Sequence, residues 1–227
     1  MGTLTSRLAG IHQALDQACA EAKRSREDVT LVAVSKRQPD ALVMEAYECG
    51  VRDFGENTLQ GFEARRAWAD AQGLKDIRWH FIGQIQSRKA KALWGEVSVI
   101  HTLDRVKLLK SVGQEAVQAQ AALVQVNVGE EPQKGGVLPA DLPEMLKACA
   151  GLGAVPGGLM CIPPNDGQPE HWFQLLFQIA QEMNNLGYLP DNPQLSMGMS
   201  SDFVTAVRYG ATLVRVGSSL FGERKIP

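Results

Sequence analysis

The sequence predicts one (β/α)8 barrel preceded by an extra N-terminal helix. Eight short runs rich in apolar and β-branched residues alternate with longer stretches of helical periodicity, the pattern of parallel strands joined by right-handed crossovers. Several runs are apolar at consecutive positions, which suits strands covered by helices outside and by packed side chains inside. The competing architecture, an open doubly wound sheet, needs Gly-x-Gly-x-x-Gly after its first strand, and Ser35-Lys36-Arg37-Gln38-Pro39 stands there instead.

The extra helix comes first. Leu4, Leu8, Ile11, Leu15 and Ala18 recur at spacings of three and four, so an amphipathic helix is expected from Leu4 to Lys23, ahead of any strand. The strand runs follow as Thr30 to Ser35, Val51 to Gly55, Arg78 to Gly83, Val97 to Thr102, Ala122 to Val128, Gly158 to Pro163, Gln194 to Ser200 and Thr212 to Ser218. Two connections stand out. Residues 129–136, charged and glycine-rich, follow the fifth run and read as a mobile segment at the barrel's C-terminal rim; Pro163 to Pro169 follows the sixth run in the same way. No internal repeat beyond the βα unit and no linker interrupts the pattern, so 1–227 reads as a single domain. A chain of 227 residues with 44% hydrophobic and 21% charged residues builds one well-buried core.

Composition excludes several functions. The 23 basic and 25 acidic side chains nearly cancel, so no global field steers a nucleic acid or an anionic membrane to this chain. A local cup of amides still binds phosphate whatever the net charge. Cys19, Cys49, Cys149 and Cys161 are scattered, with no CxxC pair and no histidines at zinc-ligand spacing, which points to a reducing compartment and away from a structural metal. Met1 to Ala20 is polar and broken by Arg7, His12 and Asp16, so neither a signal peptide nor a membrane span is expected, and the cytoplasm is the default.

In a parallel barrel the working face is the ring of strand C-terminal ends, so polar residues there are weighed first. Lys36 follows the apolar run Leu31 to Ser35, which carries its amine to the rim of a partly desolvated pocket; a neutral amine attacks aldehydes to form an imine. A lysine whose stem packs on the rim while its head reaches water is the plainer alternative. Ser196 to Asp202 is a strand end running into a helix, where Ser200 or Ser201 sits beside free backbone N–H groups, as an anion site or as an ordinary helix cap. Gly217 and Ser218, at the end of the last strand, form the companion turn; barrel enzymes place phosphate between the loops after strands seven and eight. Arg215, inside an apolar strand, requires hydrogen-bonding partners: a ligand ring nitrogen, or a network of rim carboxylates. Asn57 after strand two and His80 on strand three are further polar candidates, although a histidine within a strand is more often a satisfied core residue.

Six collinear segments resemble the pyridoxal 5'-phosphate (PLP) homeostasis protein family, single-domain relatives of the alanine racemase N-terminal barrel. They are LVAVSK ending at Lys36, FGEN ending at Asn57, HFIGQIQS from His80, GLMCIP from Gly158, LSMGMS ending at Ser200 with Asp202 beyond it, and VRVGSSLFG from Val214. Thr58-Leu59-Gln60-Gly61 departs from the family's tyrosine, aliphatic, glutamine and glutamate, and Arg88 replaces a usual asparagine. The resemblance implies that Lys36 forms the Schiff base with PLP, that Ser200, Gly217 and Ser218 hold the phosphate with Ser201 as helper, that Arg215 faces the pyridine nitrogen and that Asn57 lies near the cofactor. An arginine at that nitrogen keeps it unprotonated and makes the ring a weak electron sink. The expected function is intracellular PLP homeostasis without efficient catalysis, with PLP-dependent apo-enzymes as recipients of the cofactor. The alternatives are a racemase of low activity, a lysine Schiff-base aldolase, or an interaction module that senses PLP. The racemase's second domain, source of its opposite-face tyrosine, is expected to be absent, which favours a non-catalytic monomer.

Overall fold

Strands form where the eight apolar runs lie, and they close on themselves in chain order. In a computed structural model that describes residues 2–113 and 121–222, β1 (Thr30–Val34), β2 (Asp53–Glu56), β3 (Arg78–Phe81), β4 (Val99–Leu103), β5 (Ala121–Gln125), β6 (Gly158–Met160), β7 (Gln194–Met199) and β8 (Leu213–Val216) make a closed parallel barrel, with β8 pairing back onto β1. Every strand is shorter than the run that predicts it: β2 and β4 start two residues late and end one residue beyond their runs, and the other six leave the ladder before their runs end. After β5, for example, Val126 N–H still bonds Met160 O at 2.8 Å, while Asn127 N–H turns to Val137 O at 2.9 Å.

The consecutive apolar residues serve two cores. Val32, Leu123, Met160 and Leu213, with Val99 against them, form the apolar part of the barrel lumen. Their neighbours Leu31, Ala33, Val124, Leu159 and Val214 face outward into the larger core beneath the helices. Alternation of direction along each strand therefore aims Lys36, two positions beyond Val34 and four beyond Val32, at the lumen's C-terminal mouth.

Helix α1 (Leu4–Glu21) buries Leu4, Leu8, Ile11, Leu15, Ala18 and Cys19, the predicted stripe plus one residue. Thr3 caps its start by accepting a hydrogen bond from Ser6 N–H. It stops two residues short of the expected Lys23, which is left-handed at φ 54°, while Arg24 N–H reaches back to Cys19 O at 2.9 Å. Arg24 donates to Val207 O at 2.9 Å and Ala211 O at 2.8 Å, and Arg7 donates to Leu220 O at 2.6 Å, tying α1 across the β7–β8 side of the barrel.

The 129–136 connection, expected as a mobile rim segment, is a tied turn. Asn127 grips it from inside, donating to Glu131 O at 2.9 Å and accepting from Glu131 N–H at 3.2 Å. Gln125 Nε2 donates to Gly135 O at 2.7 Å, and Lys134 Nζ reaches across to Pro163 O at 2.8 Å. Its charge and glycine content describe the loop's surface, not the polar side chains under it. Among the described residues no group of three or more His, Cys, Asp or Glu is placed to hold a metal ion, and no helix is long and apolar enough to cross a membrane. The four cysteines are free thiols, and burial pushes Cys149 up to about 11 and Cys161 up to about 12.

Candidate functional site

A pocket of about 490 Å³ opens at the strand C-terminal ends. Val34, Ile82, Ile162 and Met199 give it apolar walls, and Lys36, Ser200, Ser201, Arg215, Gly217 and Ser218 all line it. Six of the seven site residues expected from sequence therefore meet in one place, although they come from both ends of the chain. The seventh does not line the pocket. Asn57 is half-buried below the rim, with its backbone packed so tightly on Gly83 that a Cβ there would come within 1.8 Å of Asn57 O. A larger groove of about 1190 Å³ lies at the strands' N-terminal side, around Arg24, Asp28, Phe177 and Asp191, and holds none of these residues. Barrel chemistry sits at the other face.

The β7 turn depends on Gly198. Its φ is +89°, and a Cβ would lie 2.5 Å from the Ala206 side chain. The β7–β8 register shifts between Ser196 and Met199, and Asp202 Oδ1 accepts Met199 N–H at 2.6 Å, which delivers Ser200 to the pocket. Gly198→Ala is expected to lower stability by about 2 kcal/mol or more, through left-handed strain plus the clash, measured as a fall in the urea midpoint. A fall under about 0.5 kcal/mol would contradict this account of the turn.

The two serine turns are bolted together. Ser200 Oγ accepts from Gly217 N–H at 3.1 Å and from Ser219 N–H at 3.3 Å, while Ser219 Oγ donates to Ser200 O at 3.2 Å. Gly217 has a φ of −118°, open to any residue, and a Cβ there would meet Val34 at an ordinary 3.5 Å. Neither backbone nor neighbours demand glycine. What its missing side chain leaves open is pocket floor, beside the amides and hydroxyls of Ser200, Ser218 and Ser219. That surface fits an anion approaching the backbone closely.

Beside Lys36 lies a residue that sequence reasoning passed over. Glu56 is 3% exposed, accepts from Ser35 Oγ at 2.7 Å and faces Arg65 Nε at 3.8 Å. Burial raises its pKa, opposed by the Ser35 hydrogen bond and by the charges of Arg65 and Lys36. Arg65 is held in turn by Asp40 and by Gln38 O. The available signal was an acidic residue at the C-terminal end of a strand, one position before Asn57.

Arg215 is not held by a network of rim carboxylates. Its guanidinium donates to Ser196 Oγ at 2.5 Å and to Cys161 O at 2.9 Å, and burial lowers its pKa while the nearby Asp202 raises it. Below it, a line of polar groups crosses the lumen. His101 Nδ1 lies 2.7 Å from Ser196 Oγ, His101 Nε2 lies 2.9 Å from His80 Nδ1, and His80 Nε2 lies 3.0 Å from Asp53 Oδ1. His80 is thus a lumen residue away from the pocket lining, as its strand position argued. His101, buried within the run Val97 to Thr102, drew no attention from sequence.

Burial drives the His101 pKa well below its ordinary value, helped by the nearby positive charge of Arg215. An unfolded chain binds a proton at His101 below about pH 6.5 that the folded one refuses. Its stabilising contribution is therefore complete above that pH and is lost as pH falls toward the folded pKa. Stability is expected to drop between pH 7.5 and 5.5 by up to about 1.4 kcal/mol per unit from this one group, and His101→Gln should flatten the slope. Denaturant midpoints that stay level across that range in the unaltered protein would rule it out.

The chain matches the family described as alanine racemase, N-terminal domain, over residues 12–225. A pyridoxal phosphate homeostasis protein from Aquifex aeolicus (strain VF5) is 40% identical over 228 residues, covering 96% of this chain and 97% of the relative. The structure of PipY from Synechococcus elongatus PCC7942 with PLP bound superposes with a TM-score of 0.81 at 32% identity, covering 97% of this chain and 100% of that one. Alanine racemase from Corynebacterium glutamicum, with a TM-score of 0.69 and 14% identity, covering 97% of this chain and 62% of the racemase, shares the fold. Six collinear motifs, a barrel that gathers their residues at one mouth and matches along nearly the whole chain agree: this protein belongs to the PLP homeostasis protein family, within the alanine racemase N-terminal domain fold.

Proposed function

We propose that this chain binds PLP and serves intracellular PLP homeostasis, holding the cofactor as a Schiff base on Lys36 without efficient catalysis. The observation that carries the reading is the meeting of Lys36, Arg215 and the bolted turns around Ser200 and Gly217 in one pocket. Bound PLP supplies an aldehyde that condenses with an amine, and a ring whose visible absorption reports the bond. The residues divide the work by chemistry. Ser200, Gly217 and Ser218 hold the phosphate with Ser201 at the mouth, Lys36 meets the aldehyde, Arg215 meets the ring nitrogen, and Val34, Ile82 and Ile162 keep water from the ring. Asn57 acts from behind the rim rather than by lining the pocket.

The names of the relatives and the PLP in the PipY structure support this reading. So does the pocket's chemistry: among the described lining residues the titratable side chains are Lys36 and Arg215, which leaves no acid or base opposite the lysine for a two-base racemase. The same reading has the protein act as a cytoplasmic monomer that hands PLP to apo-enzymes, with no nucleic acid or membrane as partner. The test is a visible spectrum of the purified protein with PLP, followed by an assay of amino-acid enantiomer exchange. A Schiff-base band without exchange is expected. No band would sink PLP attachment, and turnover of order 1 per second or faster would replace the carrier by a racemase.

A further inference from the structure

Resting on the PLP reading and deepening it, we propose that Asp53, His80, His101 and Ser196 form a directed hydrogen-bond relay that positions the Arg215 guanidinium for the cofactor ring. The relay begins at the barrel's far end. Asp53 is held by Arg78, Nε to Oδ1 at 2.8 Å and Nη2 to Oδ2 at 2.5 Å. Burial alone would raise its pKa, but the His80 and Arg78 hydrogen bonds outweigh that and keep it below its ordinary value, so Asp53 is an acceptor.

The order of protons follows from that end. His80 Nε2 must donate to Asp53, so a singly protonated His80 accepts at Nδ1. His101 Nε2 must then be the donor, which leaves His101 Nδ1 to accept from the Ser196 hydroxyl. Ser196 Oγ finally accepts from Arg215 Nη1. In this order each ring nitrogen has one partner, and the Ser196 hydroxyl donates once and accepts once. A second proton on His80 breaks it: His101 would have to donate to Ser196, whose hydroxyl would accept twice and lose its own acceptor. It would also place a second positive charge in a closed lumen that already holds Arg215.

This arrangement does two things for Arg215. The described bonds give the buried guanidinium a hydroxyl and a carbonyl rather than a carboxylate, and Ser196 is the better acceptor because His101 takes its proton; successive bonds polarise one another toward Asp53. Holding Nη1 on Ser196 and Nη2 on Cys161 O also fixes the rotation of the group while the side chain still lines the pocket. Asp53, His80, His101 and Ser196 are absent from that lining, so they act through Arg215 as positioning residues.

Two measurements test the relay. In the ligand-free protein, nitrogen NMR should find both His80 and His101 as neutral Nε2–H tautomers at neutral pH; a cationic ring, or an Nδ1–H tautomer of His101, would overturn the proton order. With PLP present, Ser196→Ala and His101→Leu should alter the cofactor band and weaken PLP about tenfold, while His101→Gln, which keeps one donor and one acceptor, restores both. Asp53→Asn should move the band in the same direction from the opposite end of the barrel, and adding it to Ser196→Ala should change nothing further. Lower melting temperatures with an unmoved band and unchanged affinity would mean a structural role alone and overturn the proposal. Should Ser196→Ala not fold, the His101 pair gives the same comparison. Failure of the cofactor reading is separable: it appears as no band in the unaltered protein, before any variant is made, and removes the relay's role with it.

Discussion

Lys36→Ala is expected to remove the visible Schiff-base band entirely while leaving weak PLP binding behind. The band needs an amine at the aldehyde, and Lys36 is the amine in the pocket; the proposed phosphate surface of Ser200, Gly217 and Ser218 sits on other loops, which the change leaves in place. Affinity should fall by about tenfold or more, equal to about 1.4 kcal/mol or more. The consequence for stability is set by Glu56. Lys36 is one of the charges that favour ionised Glu56, so its loss lets burial push that carboxyl's pKa further up, with Ser35 and Arg65 still in place. A loss under about 1 kcal/mol follows. If the band persists in the variant, another lysine carries the aldehyde. Lys134 is a poor substitute, because its amine is taken by Pro163 O and by Glu131. If the alanine variant fails to fold, Lys36→Met keeps the packing of the stem and repeats the spectral test.

Pyridoxal should bind at least about a hundredfold more weakly than PLP. Two charge-assisted hydrogen bonds to a phosphate, at about 1.5–3 kcal/mol each, account for that factor, and the two turns offer more than two donors. The turns are pre-assembled, since Ser200 Oγ already bridges the Gly217 and Ser219 amides, so little ordering cost is left to binding. Inorganic phosphate should compete with PLP in the same titration. Equal affinities for pyridoxal and PLP, read from fluorescence titrations, would show that the serine turns only tie the barrel closed.

The sequence by itself determined the fold class, because strand and helix periodicities are local and the eight runs with their covering helices leave few ways to bury so much apolar surface. It also pointed to Lys36, Ser200, Ser201, Arg215, Gly217 and Ser218 as polar residues at one end of the barrel, since strand ends can be read from where apolar runs stop, and these six do line one pocket there. Only the tertiary structure decided the rest. Glu56 acquires its role because Ser35, just beyond the neighbouring strand, and Arg65 on a helix close over it, and Asn57 loses a lining position because Gly83 packs on its backbone. The 129–136 segment is tied because Gln125 and Asn127 stand beneath it. His101 and His80 become one line with Ser196 because β3, β4 and β7 turn those residues into the same lumen, although 95 positions separate His101 from Ser196. Composition and periodicity report which face of an element is apolar. Which polar groups meet inside a closed barrel depends on register and closure, and these exist only once all eight strands are paired.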